Sequence, residues 1–159
     1  MESTLVTAGY PALFLVSFLA ATLLPLGSEW LLVLQLIAGG NLVTAVLVAT
    51  AGNLLGALTT YWIGLRGSDW LTTRLLRISA EQRERAHQFY RRYGSWSLLL
   101  SWLPVIGDPF CLIGGLVRVP FSRFVGLVAL GKGARYATVA WLTLTGEKAL
   151  SALLTNLLS

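Results

Sequence analysis

The chain has 159 residues, of which 55% are hydrophobic and only 12% are charged, and its mean hydropathy is +0.70. A soluble domain carries about 25% charged residues, so half of the usual charge is missing. This composition excludes a disordered chain and an ordinary soluble enzyme, and a single cysteine excludes an intrachain disulfide. The net charge of +5 therefore has to be interpreted from the positions of the charges.

The first apolar region, residues 5–40, is interrupted near its middle. The pattern predicts an apolar helix of 15 residues and then a shorter one of nine, separated by a break that contains Pro25, Gly27 and Glu29. A helix rises 1.5 Å per residue, so neither piece crosses a hydrocarbon core of about 30 Å. We therefore expect a re-entrant hairpin here, with an unbroken spanning helix as the alternative.

Residues 41–65 are predicted to form a full-length transmembrane helix. The stretch 30–65 contains no Asp, Glu, Lys, Arg or His, and about 20 apolar residues are enough to span a membrane. We expect Asn53, a polar group within this helix, to hydrogen-bond backbone groups that a hairpin break leaves free. Gly52 and Gly56 share a face on which a hairpin can approach closely.

Residues 66–94 form the most polar part of the chain, with a predicted polar helix over 79–93 and the only histidine, His87. The positive charge of this region predicts a cytoplasmic location. Contact with anionic lipid headgroups accounts for the charge, so no nucleic-acid partner is needed to explain it. A histidine on a solvated helix is more often a bystander than a ligand. The region's ionisable charges are seven arginines and three acids: Arg66, Arg74, Arg77, Arg83, Arg85, Arg91 and Arg92 against Asp69, Glu81 and Glu84.

Residues 95–117 repeat the pattern of two short apolar runs around a break. The break contains Pro104, Gly107 and Pro109, and it surrounds the carboxylate of Asp108. A proline inside a helix removes a hydrogen bond and clashes with the preceding turn, so a second re-entrant hairpin is predicted. Asp108 is also suited to cap the helix that starts at Pro109, so a capping role and a functional role both stay open.

The last transmembrane helix is predicted over 120–146, with Lys132 and Arg135 on one face. Because such charges avoid lipid, we expect them to pair with the hairpin acids or to hold an anionic headgroup, with snorkelling to the surface as the alternative. Arg118, which precedes this helix, is a third candidate for headgroup contact. Residues 147–159 form an amphipathic tail that continues the helix or lies along the membrane.

An internal repeat relates the two halves of the chain. Pro25 and Glu29 recur as Pro104 and Asp108 at an offset of 79 residues. A second set recurs at an offset of 75: Gly39, Gly40, Gly56 and Tyr61 match Gly114, Gly115, Gly131 and Tyr136. A hairpin returns to its own side and one helix crosses, so the second unit starts on the opposite side. The predicted fold is an all-α integral membrane protein forming one domain over residues 1–159, with two inverted repeats, each a re-entrant hairpin followed by a transmembrane helix.

Five motifs in this order resemble the DedA superfamily, also called the VTT or SNARE-associated domain, and in particular its short YqaA-like branch. They are LPLGSE at 24–29, GNLLG at 52–56, YWIG at 61–64, FYRRYG at 89–94 and LPVIGDP at 103–109. The resemblance implies a bacterial inner-membrane protein with two opposed hairpins, related to proteins that move undecaprenyl phosphate or phospholipid headgroups with proton or sodium coupling. Glu29 falls on the family's first-hairpin acid, whereas Ser101 and Gly107 stand where related proteins carry arginine.

These features favour a membrane transporter or scramblase that moves a lipid phosphate headgroup. Glu29 and Asp108 are the predicted proton- or ion-coupling residues, because a carboxylate deep in a bilayer is costly and rarely structural. Headgroup binding is assigned to Lys132, Arg135 and Arg118. Support of the hairpins and their packing is assigned to a further set: Pro25, Gly27, Asn53, Gly56, Pro104, Gly107 and Pro109.

Two other functions stay open, namely a small-cation or drug proton antiporter and a non-transporting membrane scaffold. An enzyme is not expected, because the only histidine lies in the polar loop and no base accompanies Ser28 or Ser101. We expect no metal or other cofactor. The expected partners are membrane lipids, with self-association as an option and no nucleic acid.

Overall fold

A computed structural model of the chain describes residues 2–22, 27–66, 94–103 and 107–158, together with residues 81, 84, 85 and 88. Regular structure in these ranges is entirely helical, which confirms the all-α class. The helices are α1 (Glu2–Ala20), α2 (Glu29–Ile37), α3 (Leu42–Arg66), a 3₁₀ helix (Gly94–Trp102), α4 (Gly107–Leu116) and α5 (Phe121–Leu158). Pro25, Pro104, His87 and most of the predicted cytoplasmic loop lie outside the described residues.

The ends of the helices differ in detail from the sequence-based expectation. α1 starts at Glu2, well before Tyr10, where the apolar pattern predicts the first helix to begin, and it contains Pro11 without ending there. Residues Gly94–Trp102, part of the second predicted hairpin, form a 3₁₀ helix. The tail does not lie separately, because α5 continues through it to Leu158 over 38 residues, about 57 Å at 1.5 Å per residue.

The long helix α3 packs against α1, α4 and α5. Two of its glycines bring neighbouring backbones into direct contact. A Cβ added at Gly52 would overlap the carbonyl oxygen of Phe14 in α1, and one at Gly64 would overlap that of Leu112 in α4. The absence of side chains at these glycines therefore sets how closely α1 and α4 approach α3, as small residues do in other membrane helices.

A polar layer separates two hydrophobic clusters in the core. One cluster lies near the start of α3, and its buried members are Leu13, Leu32, Leu36, Ala45, Ala49, Tyr136 and Ala140. The other lies near the end of α3 and consists of Ala57, Tyr61, Leu98, Cys111, Val119, Phe124 and Val128. Asn53, buried between them on α3, lies about 17 Å along the helix from Leu42 and about 20 Å from Arg66. The polar layer is thus half-way along the helix.

Among the described residues, α3 is the one helix both long and apolar enough to cross a membrane. Large hydrophobic side chains on the outer surface are exposed in several helices, including Leu15, Trp30, Leu47, Leu55 and Leu130. Such a surface is expected where lipid rather than water surrounds the protein. In α5 the charges of Lys132 and Arg135 interrupt the apolar pattern.

The contact at Gly52 gives a test of the packing. Alanine favours a helix by about 1 kcal/mol over glycine. In Gly52→Ala, however, we expect overpacking against Phe14 to cost about 1–3 kcal/mol of stability, so the melting temperature in detergent should fall. Gly146→Ala is the matched control, because nothing lies within 4 Å of its Cβ position and the substitution should stabilise slightly. Equal effects of both substitutions would contradict the close approach of α1 and α3.

Candidate functional site

Asp108 and Lys132 form an ion pair within the polar layer. Asp108 lies in the first turn of α4, and Lys132 Nζ donates to its Oδ1 at 2.9 Å. The Lys132 side chain is only 1% exposed, whereas Asp108 is 31% exposed. Lys132 Nζ also donates to Oδ1 of Asn53 on α3. Three helices therefore converge on one buried ammonium group.

Glu29 and Arg135 form the second ion pair. Glu29 is the first residue of α2, where the helix dipole favours an anion, and Arg135 lies three residues after Lys132 on α5. Glu29 is 23% exposed and Arg135 14%. A Cβ at Gly27 would collide with the Glu29 carboxylate, so glycine leaves the space that this side chain occupies.

A chain of hydrogen bonds leads from Lys132 to Ser28, the residue next to Glu29. The Tyr136 hydroxyl accepts a hydrogen bond from Asn53 Nδ2 at 2.9 Å and lies 2.5 Å from Ser28 Oγ. Ser28 precedes Glu29, and Asn53 also contacts Lys132. Ser28, Tyr136 and Asn53 are all buried, so the two acids belong to one polar network inside the protein.

Several predicted contacts turn out differently. Asn53 was expected to bind hairpin backbone; among the described residues its amide bonds to the side chains of Lys132 and Tyr136 on α5. Asp108 lies inside α4, which begins at Gly107, and its carboxylate pairs with Lys132. Lys132 does not snorkel to a surface, because it is fully enclosed, and both basic residues of α5 are paired with the hairpin acids.

The remaining predicted site residues are not part of this network. Arg118 lies exposed in the turn after α4, ten residues beyond Asp108, with a left-handed φ of 55°. Pro109 lies in the first turn of α4. Gly56 and Gly107 are packing positions, because a Cβ at either would overlap a carbonyl oxygen, that of Phe18 or of Ser101.

Tyr136 is, with Ser28, one of two network residues that the sequence alone did not assign to the site. The repeat marked it as the counterpart of Tyr61, but the two hydroxyls have different partners, since Tyr61 donates to the carbonyl oxygen of Val119 at 2.7 Å. Nothing in the spacing shows that Tyr136 faces Ser28. Within the described part of the chain, no group of three or more His, Cys, Asp or Glu side chains is arranged to hold a metal.

The sequence of the chain is similar to those of known membrane proteins. A model of the VTT domain matches residues 24–143. Inner membrane protein YqaA of Escherichia coli is 41% identical over 136 residues, covering 85% of this chain and 91% of that protein. An uncharacterized protein of Haemophilus influenzae is 38% identical over 139 residues, covering 82% and 85%. The uncharacterized membrane protein YbfM of Bacillus subtilis is 25% identical over 134 residues. No solved structure matches the chain.

The unequal exposure of Asp108 and Lys132 predicts unequal effects of removing them. Asp108→Asn leaves a buried ammonium without its counter-charge, and we expect it to lower the free energy of unfolding by about 3–5 kcal/mol. Lys132→Met leaves a carboxylate that is already partly accessible, so it should lower the free energy of unfolding by less. Thermal unfolding in detergent compares the two, and a larger loss for Lys132→Met would refute the argument.

The control for this comparison is the ion pair between Glu81 and Arg85, whose side chains are 73% and 76% exposed. Breaking this exposed pair by Glu81→Gln should lower the free energy of unfolding by no more than about 1 kcal/mol.

Proposed function

The chain belongs to the VTT-domain (DedA) family of bacterial inner-membrane proteins, and from this premise we propose that it is a transporter or scramblase of lipids with a phosphate headgroup, driven by protonation of its partly buried carboxylates. The observation that carries the proposal is the network in which two carboxylates neutralise two basic residues at the level of Asn53, half-way along α3. Transport rather than catalysis is part of the proposal.

The packing supports two inverted repeats with re-entrant hairpins. α3 contacts α1, which belongs to the same repeat, and α4, which belongs to the other repeat. In the same way, α5 contacts the 3₁₀ helix of its own repeat and α2 of the other repeat. Asn53 and Lys132, which touch, are 79 positions apart, the offset that also separates Glu29 from Asp108. Contact between equivalent positions is typical of a two-fold axis.

Such an arrangement places the hairpin breaks near the middle of the bilayer, where transporters of this kind bind their substrates. Charged groups at that depth are costly and are mostly retained for function. With both pairs intact, the site carries no net charge and has no free cation for a phosphate. A phosphate headgroup therefore has to displace a carboxylate from Lys132 or Arg135.

Protonation supplies the route. When Glu29 or Asp108 takes up a proton, its charge is lost and the attraction to its basic partner weakens. The freed ammonium or guanidinium can then bind a phosphate, and Arg135 suits this role because its planar group matches phosphate oxygens. Deprotonation on the other side restores the ion pair and releases the headgroup.

A small-cation or drug antiporter is the second candidate, and one observation favours it. In both ion pairs the carboxylate is more exposed than its basic partner. A ligand arriving from outside meets an acid first, and an acid attracts a cation or a proton. In this case Glu29 and Asp108 exchange the transported cation for protons, and the basic residues only hold the empty site closed.

Lipid movement in liposomes tests the first proposal. We expect Glu29→Gln and Asp108→Asn to slow the translocation of a fluorescent phospholipid about tenfold or more. A tenfold change corresponds to a free-energy difference of about 1.4 kcal/mol. The wild-type rate should rise as the pH falls, and Glu29→Gln should weaken this dependence. Glu81→Gln, an exposed acid of the polar region, is the control and should transport normally. Equal rates for wild type and Glu29→Gln would refute the role of the carboxylates.

Replacing Arg135 distinguishes the two candidates. If lipid phosphate is the substrate, Arg135→Gln should abolish most lipid translocation, because a binding group is lost. If the protein is a cation antiporter, Arg135→Gln should retain cation uptake driven by a pH gradient, and Glu29→Gln should lose it. The melting temperature of each variant in the same lipid shows that the protein is folded.

A further inference from the structure

A groove lies apart from the polar network, between the start of the 3₁₀ helix and the first half of α5. Its volume is about 780 Å³, and it is open to the surroundings. The lining residues that matter here are Gly94, Trp96, Arg123, Gly126, Leu127 and Leu130. Nothing lies within 4 Å of the Cβ position of Gly126, so the floor of the groove has free space.

The walls of this groove are apolar and accessible. Trp96 is 72% exposed and Leu130 is 67% exposed. In a protein surrounded by lipid, an accessible apolar groove is filled by acyl chains, because leaving it empty would forfeit van der Waals contacts. The groove has the dimensions and polarity for part of a lipid tail rather than for a soluble ligand.

One end of the groove carries a positive charge. Arg123 is exposed and has no ion-pair partner among the residues that the structure describes. It precedes Leu127 by four residues and Leu130 by seven, so the three side chains form a stripe about 10 Å long on one face of α5. A cation followed by an apolar stripe matches a headgroup followed by an acyl chain.

The groove is distinct from the network of ion pairs. Lys132 follows Arg123 by nine residues, which places it on the opposite side of α5. The burial agrees, since Lys132 is enclosed and Arg123 is exposed. A lipid held by Arg123 would therefore leave both ion pairs intact, so the inference holds whether or not the proposed transport function is correct.

We propose that this groove binds one phospholipid with an anionic headgroup, its phosphate on Arg123 and its acyl chain along Leu127 and Leu130. An arginine donates two parallel hydrogen bonds to a phosphate, which favours it for this contact. Arg123 lies close to the end of α3 at Arg66, because Phe121, two residues earlier in α5, packs against Trp62. The arginine-rich sequence 66–94 begins at that end, and the positive-inside rule predicts that it is cytoplasmic. Anionic lipids are enriched in that leaflet.

Native mass spectrometry of the purified full chain tests the proposal. Phosphatidylglycerol and phosphatidylcholine with identical acyl chains are added together at equal concentration. We expect the wild type to retain phosphatidylglycerol preferentially, and Arg123→Gln to reduce this retention about tenfold. Gly126→Leu, which fills the floor of the groove, should reduce the retention of both lipids.

Arg66→Gln is the control, because it removes one exposed arginine at the same end of the helices, where Arg66 lies over the ring of Trp62. It should retain phosphatidylglycerol like the wild type. Undiminished retention in Arg123→Gln, or equal loss in Arg66→Gln, would overturn the proposal. Equal retention of both lipids by the wild type would overturn the preference for an anionic headgroup.

Discussion

The buried ammonium of Lys132 determines the arrangement of the surrounding helices. An ammonium that is 1% exposed requires an anion and further hydrogen-bond acceptors within reach, because burial of an isolated charge costs several kcal/mol. α4 supplies Asp108, and α3 supplies Asn53. Because α4 begins at Gly107, its first turn holds Asp108 at this point inside the protein. The first turn of α4, the polar residue within α3 and the lysine of α5 are thus mutually dependent.

Glycine contacts complement this electrostatic constraint. The polar layer requires the three helices to lie close together, and Gly52 and Gly64 permit that approach on either side of Asn53. Glycine inside a helix costs about 1 kcal/mol relative to alanine. At these contacts, the closer packing and the ion pairs that it permits offset this cost. Two hydrophobic clusters then exclude lipid and water from both sides of the polar layer.

Charge in an apolar segment is easily recognised in a sequence and has few stable arrangements, so ion pairs of Lys132 and Arg135 with Glu29 and Asp108 were one of the predicted alternatives. The structure contains both ion pairs. Ser28 and Tyr136 could not be assigned, because their contact depends on the relative rotation of α2 and α5, and hydrophobic periodicity does not fix this rotation to within one residue. Arg118 precedes α5 in the sequence but lies exposed in the turn after α4, outside the polar layer, and its assignment to headgroup binding stays a prediction.

The length and charge of α5 have a consequence for how the protein enters the membrane during synthesis. A lysine or arginine near the centre of an isolated helix opposes insertion by about 2.5–3.5 kcal/mol, and α5 carries both Lys132 and Arg135 within its apolar part. Their counter-charges, Glu29 and Asp108, both precede α5 along the chain. By the time α5 leaves the ribosome, the acids that neutralise it have already been made. Insertion of this helix is therefore expected to depend on the preceding helices α2 and α4, with the chain order itself setting the sequence of assembly.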